Sequence, residues 1–362
     1  MIEKLLDTSS PLDLARTAYE DISKYEKIVL WGAGEYGKII GNYLKEKGKK
    51  PYYYCDSNIH KVGTIWNGLE VKSTSEIEKD AAVIITCNAY REISKKLICD
   101  GFFENQIFFF DVKWLTQPEG KRAYIIENID KFEKTYNMLA DEKSKKVFMN
   151  LLNYRSTYKI EYLEQIIDKH QYFDEELIQL EEDVVFLDAG SYIGDTLEVF
   201  LEYSNRKYEK VICLEPIEKN VELLRQFIDN NNVENVDIYK VGASNKKKEL
   251  HFDSTNSMAS RETEDGDVIV KCDSIDHIVE QSKLSHVDFI KMDIEGAEYD
   301  ALLGARDVIE KHHPILAICV YHKPGDYFEI PELIKSIYSG YKLYFRHYEL
   351  LDEETVCYAI AE

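Results

Sequence analysis

Two stretches of the chain alternate short apolar runs with amphipathic segments, and a charged stretch of helical periodicity lies between them. In the first, residues 1–118, an opening helix precedes KIVLW, a helix through Lys47, PYYYCD, a turn-rich stretch, AAVIIT, a helix from Tyr90 and QIFFFD. Apolar runs without polar alternation read as strands buried on both faces, and helices between them predict a parallel sheet. Residues 119–170 carry apolar positions three and four apart among many charges, as in ENIDKFEKTYNMLADEKSKKVFMNLLNYR, and read as a helical connector.

The second alternating run occupies residues 171–362, with strands in VVFLDAG, KVICLEP, VDIYKVGA, VDFIKMDIEG, PILAICVYH, YKLYFRHY and ETVCYAI. A hairpin of ELHFDS and DVIVKCD falls between the third and fourth of these. No helix separates the last two strands, so they pair antiparallel through a turn near Leu351 and Asp352. The predicted fold class is therefore α/β: two Rossmann-like domains joined by a helical connector, the second with a seven-stranded sheet whose last strand runs antiparallel.

Composition changes this picture little but excludes several partners. A chain of 362 residues exceeds the size at which single cores stop growing, in keeping with two domains. With 44% apolar and 31% charged residues it reads as globular. No apolar run reaches the roughly 18 residues a membrane span requires, and the first residues lack a secretory pattern, so a cytoplasmic protein without membrane partners is expected. A formal charge of −22 repels phosphate backbones, and the Lys49-Lys50 and Lys246-Lys247-Lys248 clusters are short and sit beside turns. Nucleic acid is not an expected partner. The seven cysteines form no CxxC pair and read as buried free thiols rather than zinc or disulfide ligands. The pattern leaves the oligomeric state open.

Ligands of open α/β sheets sit beyond the carboxyl ends of the strands. At those ends the second domain carries Asp188-Ala-Gly190-Ser-Tyr192-Ile-Gly194-Asp195, then Glu215, then Asp293-Ile-Glu295-Gly296-Ala-Glu298, then Tyr321-His322. Gly190 and Gly194 let backbone approach a ligand at a helix start, and Glu215 is spaced to grip two ribose hydroxyls. Asp188, Glu215 and Asp293 read as exposed rim carboxylates without packing duty, which argues against a scaffold that has lost its chemistry.

On the stretches QYFDEELIQL, VVFLDAGSYIGDT, LEPIEKN, IKMDIEGAEYDALLGA and YKLYFRHY, the segment from Gln171 to Ile360 resembles the FkbM-type methyltransferases. The resemblance implies a class I methyltransferase sheet, S-adenosyl-L-methionine as methyl donor, and a hydroxyl of a sugar or other small metabolite as acceptor. By position, Asp188, Gly190 and Gly194 correspond to the loop at the donor's methionine end, with Tyr192 where a second glycine often lies. Glu215 corresponds to the ribose ligand and Asp293 to the loop beside the reacting centre.

Transfer from a sulfonium is an in-line displacement that demands alignment, with a base only to relieve the acceptor of its proton. His322 has the natural pKa for that base, and Asp293 accepts a proton or orients the hydroxyl. His347 reads as structural. Glu295, Glu298 and Asp195 could join Asp293 in a magnesium site, but carboxylates at a helix start more often answer its dipole, and no metal is assigned.

In the first domain, Gly32-Ala-Gly34-Glu-Tyr-Gly37 follows KIVLW and opens a helix, with Asp56 ending the next strand. This is the dinucleotide pattern, in which the glycines admit a pyrophosphate and the acid holds a ribose. The run as far as SEI resembles small nucleotide-fold domains found beside sugar-modifying transferases, which can bind a nucleotide-sugar or sugar phosphate; ligand binding, a packing or dimerising role and catalytic NAD all stay open for this domain. Three functions stay open: O-methylation of a small hydroxylated metabolite, an NAD-linked sugar oxidoreductase or epimerase, and a non-catalytic nucleotide-binding scaffold.

Overall fold

Each apolar run of residues 1–118 forms a strand in the computed structural model, which describes residues 2–87, 89–252, 268–351 and 353–361. The chain divides into two compact units, residues 1–129 with 149–164, and residues 130–148 with 165–362. The stretch expected as a connector is made of the helices Arg122–Glu127, Ile129–Met138, Glu142–Thr157 and Ile160–Glu164. No helix among the described residues is long and apolar enough to cross a membrane.

The first unit holds a six-stranded sheet of β1 (Ile28–Trp31), β2 (Tyr53–Asp56), β3 (Ile65–Trp66), β4 (Leu69–Ser73), β5 (Ala82–Ile85) and β6 (Ile107–Phe109), in the order β3-β4-β2-β1-β5-β6. All pairings are parallel except β3 with β4. Val29, Trp31, Tyr53, Val83 and Ile85 face a core completed by Ile93 and Leu97 of the helix Tyr90–Cys99. The turn-rich stretch of the sequence conceals the β3–β4 hairpin. Asn67 (φ 48°) and Gly68 (φ 77°) both take left-handed backbone there, as the tight Asn-Gly hairpin turn requires.

The second unit holds β7 (Val185–Ala189), β8 (Lys210–Leu214), β9 (Val236–Tyr239), β10 (Gly242–Ala243), β11 (Lys248–Phe252), β12 (Val268–Asp273), β13 (Phe289–Met292), β14 (Ile315–Cys319), β15 (Tyr341–His347) and β16 (Thr355–Ala361). Seven of these build the main sheet in the order β15-β16-β14-β13-β7-β8-β9, in which only β16 runs against its neighbours. The run VDIYKVGA splits: β9 joins the main sheet, and β10 pairs with β12 in a small sheet that also holds β11. The β11–β12 hairpin forms as expected, with its connection at 253–267 outside the described residues, as is Asp352 of the expected last turn.

Phe186 and Phe289 are register partners on adjacent strands, and with Phe173 and Phe200 they form the aromatic centre of this core. The Phe186 and Phe200 rings stack at 4.6 Å. Burying each such side chain stabilises the fold by roughly 1.5–3 kcal/mol, and Phe200, with Leu197 and Leu201, seats the helix Asp195–Tyr203 on the sheet.

Candidate functional site

From β7 the chain proceeds outward to β8 and β9, whereas β13, on the other side of β7, leads outward to β14. Strand order reverses between β7 and β13, and the crevice beyond their carboxyl ends is where such sheets bind ligands. Every loop singled out in the second domain leaves the sheet at this edge.

Asp188 and Lys291 are register partners across β7 and β13, and both are buried. Lys291 Nζ lies 3.0 Å from Asp188 Oδ1 and donates to Gly190 O at 2.8 Å. Burial pushes the Asp188 carboxyl up against the pull of the ammonium. Burial alone would lower Lys291, but Asp188 and Asp293 hold it above its ordinary value and therefore charged. Asp188 is thus no rim carboxylate: it is the interior half of an ion pair that fixes the start of the glycine loop. Lys291 was not singled out in the sequence, where a lysine inside FIKM offers no sign of its cross-strand partner.

The loop after β7 turns on Gly190 (φ 84°), where a Cβ would fall 1.9 Å from Asp293 O. Only glycine fits so close an approach. Gly194 (φ 101°) caps the helix Asp195–Tyr203, and its missing Cβ makes room for Leu224 and Phe227. Between them Tyr192 (φ 45°) holds its ring exposed and donates its backbone N–H to Glu215 Oε2 at 3.0 Å.

Glu215 is buried rather than at the rim, and burial pushes its carboxyl up. Its Oε1 accepts from Ile217 N at 2.9 Å and Asn220 Nδ2 at 3.2 Å. A carboxylate offers about four acceptor positions, so three are occupied and one remains on Oε2. One acceptor position is therefore left, where the spacing suggested a carboxylate open on both oxygens. Asn220, which closes the LEPIEKN stretch but was not singled out as a partner of Glu215, is what narrows it.

Asp293, Glu298 and His322 gather at the ends of β13 and β14. His322 Nδ1 lies 3.0 Å from Glu298 Oε1, and its Nε2 faces Asp293 Oδ1 at 3.4 Å and Glu295 Oε2 at 3.7 Å. Burial would lower the imidazole's pKa, but the three carboxylates outweigh it and raise it above 6.5. The ordinary histidine pKa expected from sequence is thereby corrected upward. Glu298 is fully buried, also accepting from Ile294 N at 2.9 Å. Asp293 Oδ2 accepts from Tyr172 at 2.8 Å and Oδ1 from Tyr321 at 3.2 Å, and burial keeps both phenols well above their usual pKa and so able to donate.

Among the described residues, Asp293, Glu298 and His322 each offer one donor atom within 4.8 Å of the others. The two imidazole nitrogens face different carboxylates, however, so a single ion could replace only one of those contacts. Asp195 is the first residue of its helix and not a member of this group. His347 is buried with Nδ1 2.9 Å from Thr355 Oγ1, a structural role as read from sequence.

In the first unit Gly32 (φ 121°) and Gly34 lie between β1 and the helix Glu35–Glu46, and Asp56 ends β2. Gly37 packs the helix onto the loop, since a Cβ there would meet Gly32 O at 2.1 Å. Asp56 accepts from Ala33 N at 3.0 Å, Lys61 Nζ at 3.0 Å and Asn58 N at 2.9 Å. It staples its own loop, which departs from the free ribose acceptor of the dinucleotide pattern.

The Methyltransferase FkbM domain matches residues 188–347. A crystal structure of a methyltransferase FkbM from Methylobacillus flagellatus KT has a TM-score of 0.69 at 24% identity, covering 94% of this chain and 92% of that chain. That likeness of fold extends across both units. An rRNA methylase from Streptococcus thermophilus is a weaker likeness, with a TM-score of 0.35 and 11% identity over 52% of this chain and 92% of that chain. No curated protein matches the sequence. The matched segment contains the glycine loop, Glu215, Asp293 and His322, and residues 188–347 of this chain are accordingly similar to the methyltransferase domain of the FkbM family.

Proposed function

We propose that the second unit is an S-adenosylmethionine-dependent O-methyltransferase acting on a hydroxyl of a small molecule, with a sugar as the leading acceptor class. The observation that carries this reading is the junction of the Gly190 loop with the Asp293 and His322 cluster at one strand-order reversal. The residues fit the donor. Gly190 lets the glycine loop close directly on the Asp293 peptide, Glu215 keeps one acceptor position for a ribose hydroxyl, and the acidic cluster complements a sulfonium. When bound, the donor supplies a methyl carbon already activated for displacement.

The chain's own groups then handle the acceptor. Tyr172 and Tyr321 fix the Asp293 carboxylate, which orients the acceptor hydroxyl. Glu298 Oε1, 3.0 Å from Nδ1, orients the imidazole of His322, so that Nε2 in the neutral form would take the proton of the acceptor hydroxyl. The proton ends on His322, whose imidazolium the surrounding carboxylates stabilise. Asp188, Gly190, Tyr192, Gly194 and Glu215 serve the donor side in this reading.

Calorimetry with S-adenosylhomocysteine followed by mass spectrometry of sugars, nucleotide-sugars and amines tests it. One methyl gained on a hydroxyl, lost in His322→Ala with product-nucleoside affinity intact, supports the assignment. Methylation confined to amines removes the O-methyl reading, and failure to bind S-adenosylhomocysteine removes the donor.

A further inference from the structure

The first unit has a crevice of its own that methyl transfer leaves unused. A cavity of about 730 Å³ lies at the carboxyl ends of β1, β2 and β5, with Trp31, Gly34, Asp56, Lys61, Thr86 and Lys96 in its wall. That volume falls within the range of small-molecule and cofactor sites. It also sits where strand order reverses, since β1 leads outward to β2 on one side while β5 leads to β6 on the other.

The wall supplies distinct chemistry along its length. Gly34 has extended backbone (φ −131°), and a Cβ there would meet nothing within 4 Å, so the loop faces open space. The helix Glu35–Glu46 starts there without a side-chain cap, which leaves backbone N–H groups without helical partners. Beside this loop Lys61 Nζ donates to Ala33 O and Asp56 Oδ2, each at 3.0 Å, which places a cation over the glycine turn.

Glu35, which in sequence sets a negative charge at this position, is drawn to Lys38 at 3.2 Å. Asp56 is held below the usual carboxylate range although burial opposes its charge, because Asn58, Lys61 and Ala33 all donate to it. Asp56 gives three acceptor positions to its own loop, one of them to the Lys61 ammonium, so its charge is already met there, unlike that of Glu215, whose three donors are neutral. The exposed Glu92 on the same wall is the carboxylate open to hydroxyls, and Trp31 and Tyr36 provide aromatic surface.

We propose that this cavity binds a nucleoside diphosphate, with its phosphates against the Gly32–Gly34 loop and Lys61, its ribose toward Glu92 and its base beside Trp31 and Tyr36. The site is independent of methyl transfer. Its stapled acid separates it from a dinucleotide site of the NAD type.

The test is calorimetry and thermal shift on the full chain saturated with S-adenosylhomocysteine, with UDP, GDP, ADP and CDP as probes. At least one diphosphate binds in a one-to-one ratio, its nucleoside at least about tenfold more weakly, a difference of roughly 1.4 kcal/mol. Gly34→Glu, which enters open space with permitted backbone angles, abolishes that binding. Lys61→Gln, a half-exposed position, weakens it about tenfold or more, and S-adenosylhomocysteine affinity is unchanged in both. The proposal is overturned if no diphosphate binds, if binding survives Gly34→Glu, or if NAD binds there more tightly than every diphosphate.

Discussion

Glu298 Oε1 lies 3.0 Å from His322 Nδ1, and the opposite nitrogen of that imidazole faces Asp293 Oδ1 at 3.4 Å. A histidine held between carboxylates retains its proton to higher pH than one in water, and its pKa here is raised above 6.5. A base must be neutral, so kcat/KM rises with pH through a point above 6.5 and falls off on the acid side of it. Glu298→Gln removes one of the charges, lowers that pKa and moves the acid limb to lower pH. His322→Ala flattens the limb and lowers kcat by about 10²–10⁴. A limb that stays put in Glu298→Gln, read from pH–rate profiles, detaches Glu298 from the base.

Glu215→Ala removes the acceptor for Tyr192 N–H as well as the open position on Oε2. S-adenosylhomocysteine binding then weakens by about 1–3 kcal/mol, measured by calorimetry. Glu215→Gln keeps the volume but not the charge and lies between. Unchanged affinity in both variants takes Glu215 out of the donor site.

Lys291→Met leaves the Asp188 carboxylate buried without its cation. Breaking a buried pair this way costs about 3–5 kcal/mol, visible as a lower denaturation midpoint. Adding Asp188→Asn recovers part of that loss, because no uncompensated charge then remains. A double variant no more stable than Lys291→Met alone would show that the two side chains are not coupled.

The proposed acceptor geometry assigns no role to a divalent metal, since Glu298 and Asp293 each face a different imidazole nitrogen. Dialysis against a chelator leaves the transfer rate unchanged, and added magnesium or manganese does not raise it. A rate that collapses on chelation and returns with one ion would convert the cluster into a metal centre.

The sheet was legible because its strands are short runs buried on both faces, such as VVFL and AAVII, whose apolar pattern records their surroundings directly. The β3–β4 hairpin escaped that reading because β3 has two residues and β4 buries only Val71, although Asn67-Gly68 signals the turn. The glycine loop, Asp293 and His322 stand at strand ends, where sequence order alone places them on one edge. Burial was not legible. Whether Asp188 and Glu215 face solvent depends on Lys291 across the sheet and on Asn220 one turn into the next helix. Tyr172 reaches Asp293 from 121 positions away, a relationship that no local pattern encodes.

The contact between Gly190 and the Asp293 carbonyl has a mechanical corollary. With no side-chain volume between them, the two loops mesh like teeth, and Lys291 bolts the same loop from beneath through Gly190 O. A shift of the first loop displaces the peptide that carries the Asp293 carboxylate. Should that contact couple the two halves of the crevice, linkage requires the effect to be equal in both directions, whichever half fills first.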